Sequence, residues 1–127
     1  MQSILEGNPG ARLRVLVVWE PVLWSDVGPP TSGVMGRIPD TRARQFWDER
    51  RLLSDEFHRA ARHRGEPLEE GQIVWDVVAA FPPGVSWGET LPEPAYAGFP
   101  VVDAEGALRE HLSLSADGAT PGGAPER

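Results

Sequence analysis

Arg12-Leu13-Arg14-Val15-Leu16-Val17-Val18-Trp19 decides how this chain is read, because apolar and mostly β-branched residues fill every position from Val15 onward. Such a run suits a strand buried on both faces, the kind that lies in the middle of a parallel sheet. Glu20-Pro21 ends it. Downstream, Ile73-Val74-Trp75-Asp76-Val77-Val78-Ala79-Ala80-Phe81 repeats the pattern, and Pro82-Pro83-Gly84 stops it. Between the two, Asp40 or Thr41 is placed to cap a helix whose apolar stripe is Ala43, Phe46, Leu53, Phe57, Ala60 and Ala61, ending near Gly65. Strand, helix and strand make a βαβ unit, in which the two apolar ribbons lie side by side and parallel. Val-Val-Trp-Glu in the first ribbon and Ile-Val-Trp-Asp in the second then bring Glu20 and Asp76 to one face.

Outward from this unit, Pro and Gly punctuate two loops, Pro21 to Pro39 and Val85 to Gly98. Phe99 to Asp103 reads as a short third strand, and Ala104, Leu108 and Leu112 stand in helical phase for a final helix. From Ser113 onward the composition is Ser, Ala, Asp, Gly, Thr and Pro, which predicts disorder. A chain of 127 residues supports one core, so the expectation is a single α/β domain over 1–112 and a tail over 113–127.

The formal net charge of −7 disfavours nucleic acid and anionic membrane as partners. Arginines concentrate between Thr41 and Arg64, but Arg44/Asp48, Arg51/Asp55 and Asp55/Arg59 are spaced for pairing along a helix, which makes a solvated face. No stretch approaches the ~20 apolar residues of a membrane span, and no leader pattern opens the chain. A cytoplasmic location is expected. With no cysteine, the side chains of this chain carry no thiol or disulfide chemistry.

Familiar catalytic machinery finds no footing. No Gly-rich stretch ends in Lys-Ser/Thr, and no dinucleotide fingerprint follows the first strand. His58, His63 and His111 lack metal-ligand spacing, so no metal and no cofactor are expected. Ser25, Ser32, Ser54 and Ser86 stand outside any nucleophile elbow. Carboxylates are left: Glu20 at the carboxyl end of a strand, Asp26 in the loop after it, and Asp76 interrupting an apolar strand. Arg50, close to the apolar stripe of the helix, needs a partner or a route to solvent. Paired with Asp76 or Glu20 it would leave another carboxylate free for proton transfer. The competing reading is a structural ion pair. Trp24 and Trp87 sit in the loops, where an aromatic walls a pocket or covers a sheet edge, with Asp26 and Tyr96 as nearby polar groups.

Trp19-Glu20-Pro21 and Gly98-Phe99-Pro100-Val101 resemble two segments of thioredoxin-like domains: a Trp-x-Pro leaving a buried strand, and a Gly-x-Pro-Thr that carries a cis-proline. Together with Gln45-Phe46-Trp47-Asp48 and Phe81-Pro82-Pro83-Gly84-Val85-Ser86-Trp87, the chain is similar, over Arg12 to Leu112, to uncharacterised bacterial thioredoxin-like proteins. That resemblance implies that Gln2 to Glu6 is the remnant of a helix, that the first strand and active-site turn are lacking, and that Pro100 is the cis-proline. The redox Cys-x-x-Cys is absent, so the fold carries over and the oxidoreductase activity does not.

The functional expectation is a noncatalytic thioredoxin-like module binding a protein or peptide in a groove among Trp24, Trp87, Tyr96, Phe99 and Pro100. The alternatives are a cysteine-free enzyme working through Glu20, Asp26 or Asp76 with Arg50, or a fragment of a longer oxidoreductase. The kinship, the groove and the Glu20/Asp76 geometry all depend on the ribbons at Val15 and Val77 being parallel neighbours.

Overall fold

The computed structural model describes residues 1–65, 69 and 71–114. The expected tail beyond Leu114 and most of the acidic linker between Glu66 and Gly71 lie outside these residues. Helix α1 spans Gln2–Gly7 and strand β1 spans Val15–Trp19. A single-turn helix α2, Ser32–Met35, lies in the long loop, its amide at Val34 capped by the Thr31 hydroxyl. Strand β2 follows at Ala43–Trp47, helix α3 at Leu52–His63, strands β3 and β4 at Val78–Ala80 and Tyr96–Gly98, and helix α4 at Val101–His111. The result is a mixed α/β structure with one parallel and one antiparallel pair of strands.

β1 and β2 pair in parallel, Val15 opposite Ala43 and Trp19 opposite Trp47. This corrects the single helix expected to run from a cap at Asp40 or Thr41 to near Gly65. Arg44 and Phe46 face solvent while Ala43, Gln45 and Trp47 face in, a period of two that belongs to a strand. Ala43 and Phe46 matched the helical stripe by coincidence of phase; Leu53, Phe57, Ala60 and Ala61 do lie in α3. Arg51, with φ 56 and ψ 36, has left-handed backbone that no continuous helix tolerates, so strand and helix separate there. α3 gives way to Arg64 and then Gly65 at φ 74, where the missing Cβ permits a left-handed stop.

A second correction concerns the sheet. The β1 strand and the Val77 segment are not neighbours: β3 pairs antiparallel with β4 in a separate sheet, and Val77 precedes β3 outside any strand. The predicted strand over Ile73 to Phe81 is reduced to Val78–Ala80 because Asp76 adopts φ 54, which interrupts extended backbone. The third strand expected at Phe99 to Asp103 stands instead at Tyr96–Gly98; proline has no N–H to give a ladder, and Pro100 caps α4. The Phe99–Pro100 peptide is cis.

Burial is uneven. Ile4, Leu5, Ala60, Ala61, Leu91, Ala104 and Leu108 are the buried apolar residues among those described. No residue of β1 joins them and Leu16 is 50% exposed, which corrects the strand expected to be buried on both faces in the middle of a parallel sheet: among the described residues β1 has β2 as its one strand partner. α1 is tied to the strand layer by Arg42, which precedes β2. Its five N–H groups go to the carbonyls of Leu5, Asn8 and Ala11 and to both carboxylate oxygens of Asp40. Every donor of the guanidinium fork is used, which only arginine can supply in this geometry.

Candidate functional site

The densest polar arrangement forms where the two parallel strands end and α3 begins. Trp19 and Trp47 are in register, and the Asp48 amide donates to the Trp19 carbonyl at 2.8 Å, so Glu20 and Asp48 leave the sheet side by side. Both carboxylates turn to the open N-terminal turn of α3. Asp48 Oδ2 accepts from the Leu53 amide at 2.8 Å, and Glu20 Oε1 from the Ser54 amide at 3.2 Å. The Ser54 hydroxyl donates to Glu20 Oε2 at 2.6 Å and accepts from the Val74 amide at 3.2 Å. One serine therefore joins β1, α3 and the segment leading to β3. Burial pushes the Glu20 carboxyl above its ordinary 4.5, the Ser54 hydrogen bonds oppose this, and the nearby Asp48 charge reinforces it.

This cluster was only half legible. The partner of Val-Val-Trp-Glu is Gln-Phe-Trp-Asp, Gln45 to Asp48, and not Ile-Val-Trp-Asp. Asp48 and Ser54 were not singled out, although the repeated Trp-acid pair carried the signal for Asp48. Nothing in the sequence marked Ser54, whose role arises from a contact across 20 and 34 residues.

The other candidate acids are spent on backbone. Asp26 Oδ2 accepts from the amides of Val22 and Leu23 at 2.9 and 2.7 Å, which fixes the turn after Pro21. Asp76 Oδ1 accepts from the Val101 amide at 3.2 Å, at the first residue of α4. Arg50 lies exposed in the turn before α3, and no ion pair joins it to Glu20 or Asp76, correcting the charge partnership expected of it. Among the ion pairs expected along the arginine-rich stretch, none of Arg44/Asp48, Arg51/Asp55 or Asp55/Arg59 forms; Arg59 pairs with Glu56 at 2.6 Å instead.

The candidate binding residues stand in different settings. Trp24 is 96% exposed beside Val27 at 93%, on the turn that Asp26 holds. Trp87 packs edge-on against Phe81, ring centres 5.8 Å apart. Tyr96 stacks on His111 and its hydroxyl donates to the Ala104 carbonyl at 3.3 Å, so it belongs to the β4–α4 contact. Phe99 is 78% exposed and Pro100 caps α4. A shallow groove of about 480 Å³ runs along α3 between Arg51, His58 and Arg62 on one side and Gly71–Ile73 on the other. His58 Nε2 donates to the Gln72 carbonyl across it. None of the five candidate binding residues lines it.

Among the described residues no His, Asp or Glu side chains converge in a metal-holding group, and no helix is long and apolar enough to cross a membrane. Ser54 is 4% exposed, and its hydroxyl is held between Glu20 and the Val74 backbone. Compared with known proteins, the chain matches no family model, no curated protein and no solved structure.

Proposed function

We propose that this chain is a noncatalytic interaction module that presents preset apolar side chains to a protein or peptide. The observation that carries the reading is the Leu23–Val27 turn. Asp26 pins its backbone at two amides, yet Trp24 and Val27 project almost fully into solvent. Exposed apolar surface held rigid costs little further entropy on binding, and tryptophan is prominent among the residues that dominate interfaces. Phe99 and Val102, at 78% and 77% exposed, add a second apolar projection at the start of α4.

A thioredoxin-like ancestry is part of this proposal in a narrower form than the sequence suggested. The ribbon pairing on which the sequence made kinship, groove and Glu20/Asp76 face depend is not formed, so the groove and that face are given up and the kinship rests on local segments alone. Three features support it: a helix at Gln2–Gly7, where the resemblance puts a helix remnant, the Trp19-Glu20-Pro21 exit from β1, and Gly98-Phe99-Pro100 at the entry to α4. The absence of cysteine removes thiol redox chemistry from this module. The acid/base alternative rests on the raised carboxyl of Glu20, and the Ser54 bridge that buries it speaks against that use.

Selection of extended peptides from a displayed library tests the proposal. Recovered peptides should be apolar, should shift the tryptophan emission to the blue, and should lose roughly tenfold or more in affinity with Trp24→Ala while stability is unchanged. Peptides that bind Trp24→Ala and Phe99→Ala as well as the parent would refute the site, and a library that yields no ligand would refute the module.

A further inference from the structure

Among the described residues, the five-residue apolar strand β1 is paired on one side only. The Val15 amide donates to the Arg42 carbonyl and the Trp19 carbonyl accepts from the Asp48 amide, so the odd-numbered residues direct their backbone groups to β2. By the alternation of a strand, Leu16 and Val18 direct theirs the other way. There, among the described residues, their N–H and C=O groups meet no hydrogen-bonding partner, and no other helix or strand packs closely along that edge. The face above is unfinished as well: Leu16 is 50% and Phe46 49% exposed. An unpaired, apolar strand edge is a template for another strand.

We propose that β1 pairs antiparallel with β1 of a second copy of this chain about a two-fold axis at Val17. Antiparallel pairing requires outward-directed residues to stand opposite each other, which limits the registers to a few. Centring on Val17 sets Leu16 against Val18 of the second copy, where they exchange both hydrogen bonds, and sets all five apolar residues against apolar residues. One step further out, Arg14 of each copy faces Glu20 of the other, on the same face as Leu16 and Val18. Centring one residue earlier also finds an Arg/Glu match, Arg12 with Glu20, but lays Arg14 against Val18. The Val17 register is the one that matches charge and apolar length together. It extends two two-stranded sheets into one of four strands and brings the Arg14 guanidinium to the half-buried Glu20 carboxylate, which forms no direct ion pair among the described residues of the single copy, although the Arg51 charge lies near. Two chains of net charge −7 repel at long range, so association belongs at physiological or higher ionic strength, where that repulsion is screened within ~8 Å.

Sedimentation and light scattering of the full chain at rising concentration test this. The parent should reach twice its chain mass. Val18→Pro, which removes an outward amide and leaves the β2 ladder its donors, should remain single, with the Val17 amide as protected from exchange as in the parent. Should the proline disturb the strand, Arg14→Glu decides: placing like charges opposite each other, it should weaken association by about fivefold or more without changing the fold. A parent that stays single up to ~1 mM overturns the proposal. So does a dimer that survives both changes, since another surface then holds it, and so does protection of the Leu16 and Val18 amides that appears only when a different peptide strand is supplied.

Discussion

Two carboxyls set opposite pH trends. The Arg42 fork holds the Asp40 carboxyl at about 2 against an ordinary 3.8, so the stabilisation it provides is complete above about pH 5 and drains away as pH falls through 3.8 to about 2. Unfolding midpoints of the parent and Asp40→Asn should therefore differ most at neutral pH and converge in strong acid. Glu20 acts with the reverse sign. Its folded carboxyl is raised above 4.5, so ionisation works against the fold above that raised value, and the penalty lifts as pH falls through it. A carboxyl titration followed by NMR should place Glu20 above and Asp40 below their ordinary values; the opposite order would contradict both geometries. Ser54→Ala should cost about 1–3 kcal/mol in a denaturant titration, because the part-buried Glu20 oxygen and the Val74 amide each lose a partner.

At the scale of elements, α3 starts without a side-chain cap from its own N-cap residue, since Arg51 offers none. Asp48 supplies the substitute, and Asp48→Ala should lower stability by about 1 kcal/mol, the ordinary worth of a cap, measured by equilibrium unfolding. The β4–α4 contact is close at Gly98. A Cβ added at Gly98 would stand 2.6 Å from the Tyr96 hydroxyl and 2.8 Å from the Ala104 Cβ. Gly98→Ala should destabilise by about 1–3 kcal/mol through this overpacking, and an unchanged midpoint would show that α4 has room to move away. The short strands also explain a misreading. Five residues at 43–47 satisfy a helical stripe and a strand alternation alike, and a run that short is settled by which partner lies alongside it.

On the scale of the whole molecule, apolar weight is distributed outward to an unusual degree. Trp24, Val27, Phe99 and Val102 are each more than three-quarters exposed, and β1 contributes no buried residue. Trp24→Ala should leave the unfolding free energy within about 0.5 kcal/mol of the parent, because a side chain already in water has no burial to lose. A larger loss would mean that the Leu23–Val27 turn packs against the body. The same change should reduce binding of an apolar dye, which would separate a presented residue from a buried one.

Local chemistry was readable from the residues alone where neighbours in sequence are neighbours in space. β1 and its end at Glu20-Pro21, the amphipathic run of α3 with its stop at Gly65, the final helix, and the absence of thiol chemistry all follow from residue type and spacing. Only the tertiary structure decided which strands pair. It set Trp19-Glu20 beside Trp47-Asp48 and not beside Trp75-Asp76, gave Ser54 and Arg42 their joining roles, and spent Asp26 and Asp76 on backbone amides. The physical reason is that a strand's apolar pattern states that a partner is wanted without naming it. Hydrogen bonds between residues distant in the chain choose among candidates whose local patterns are equivalent.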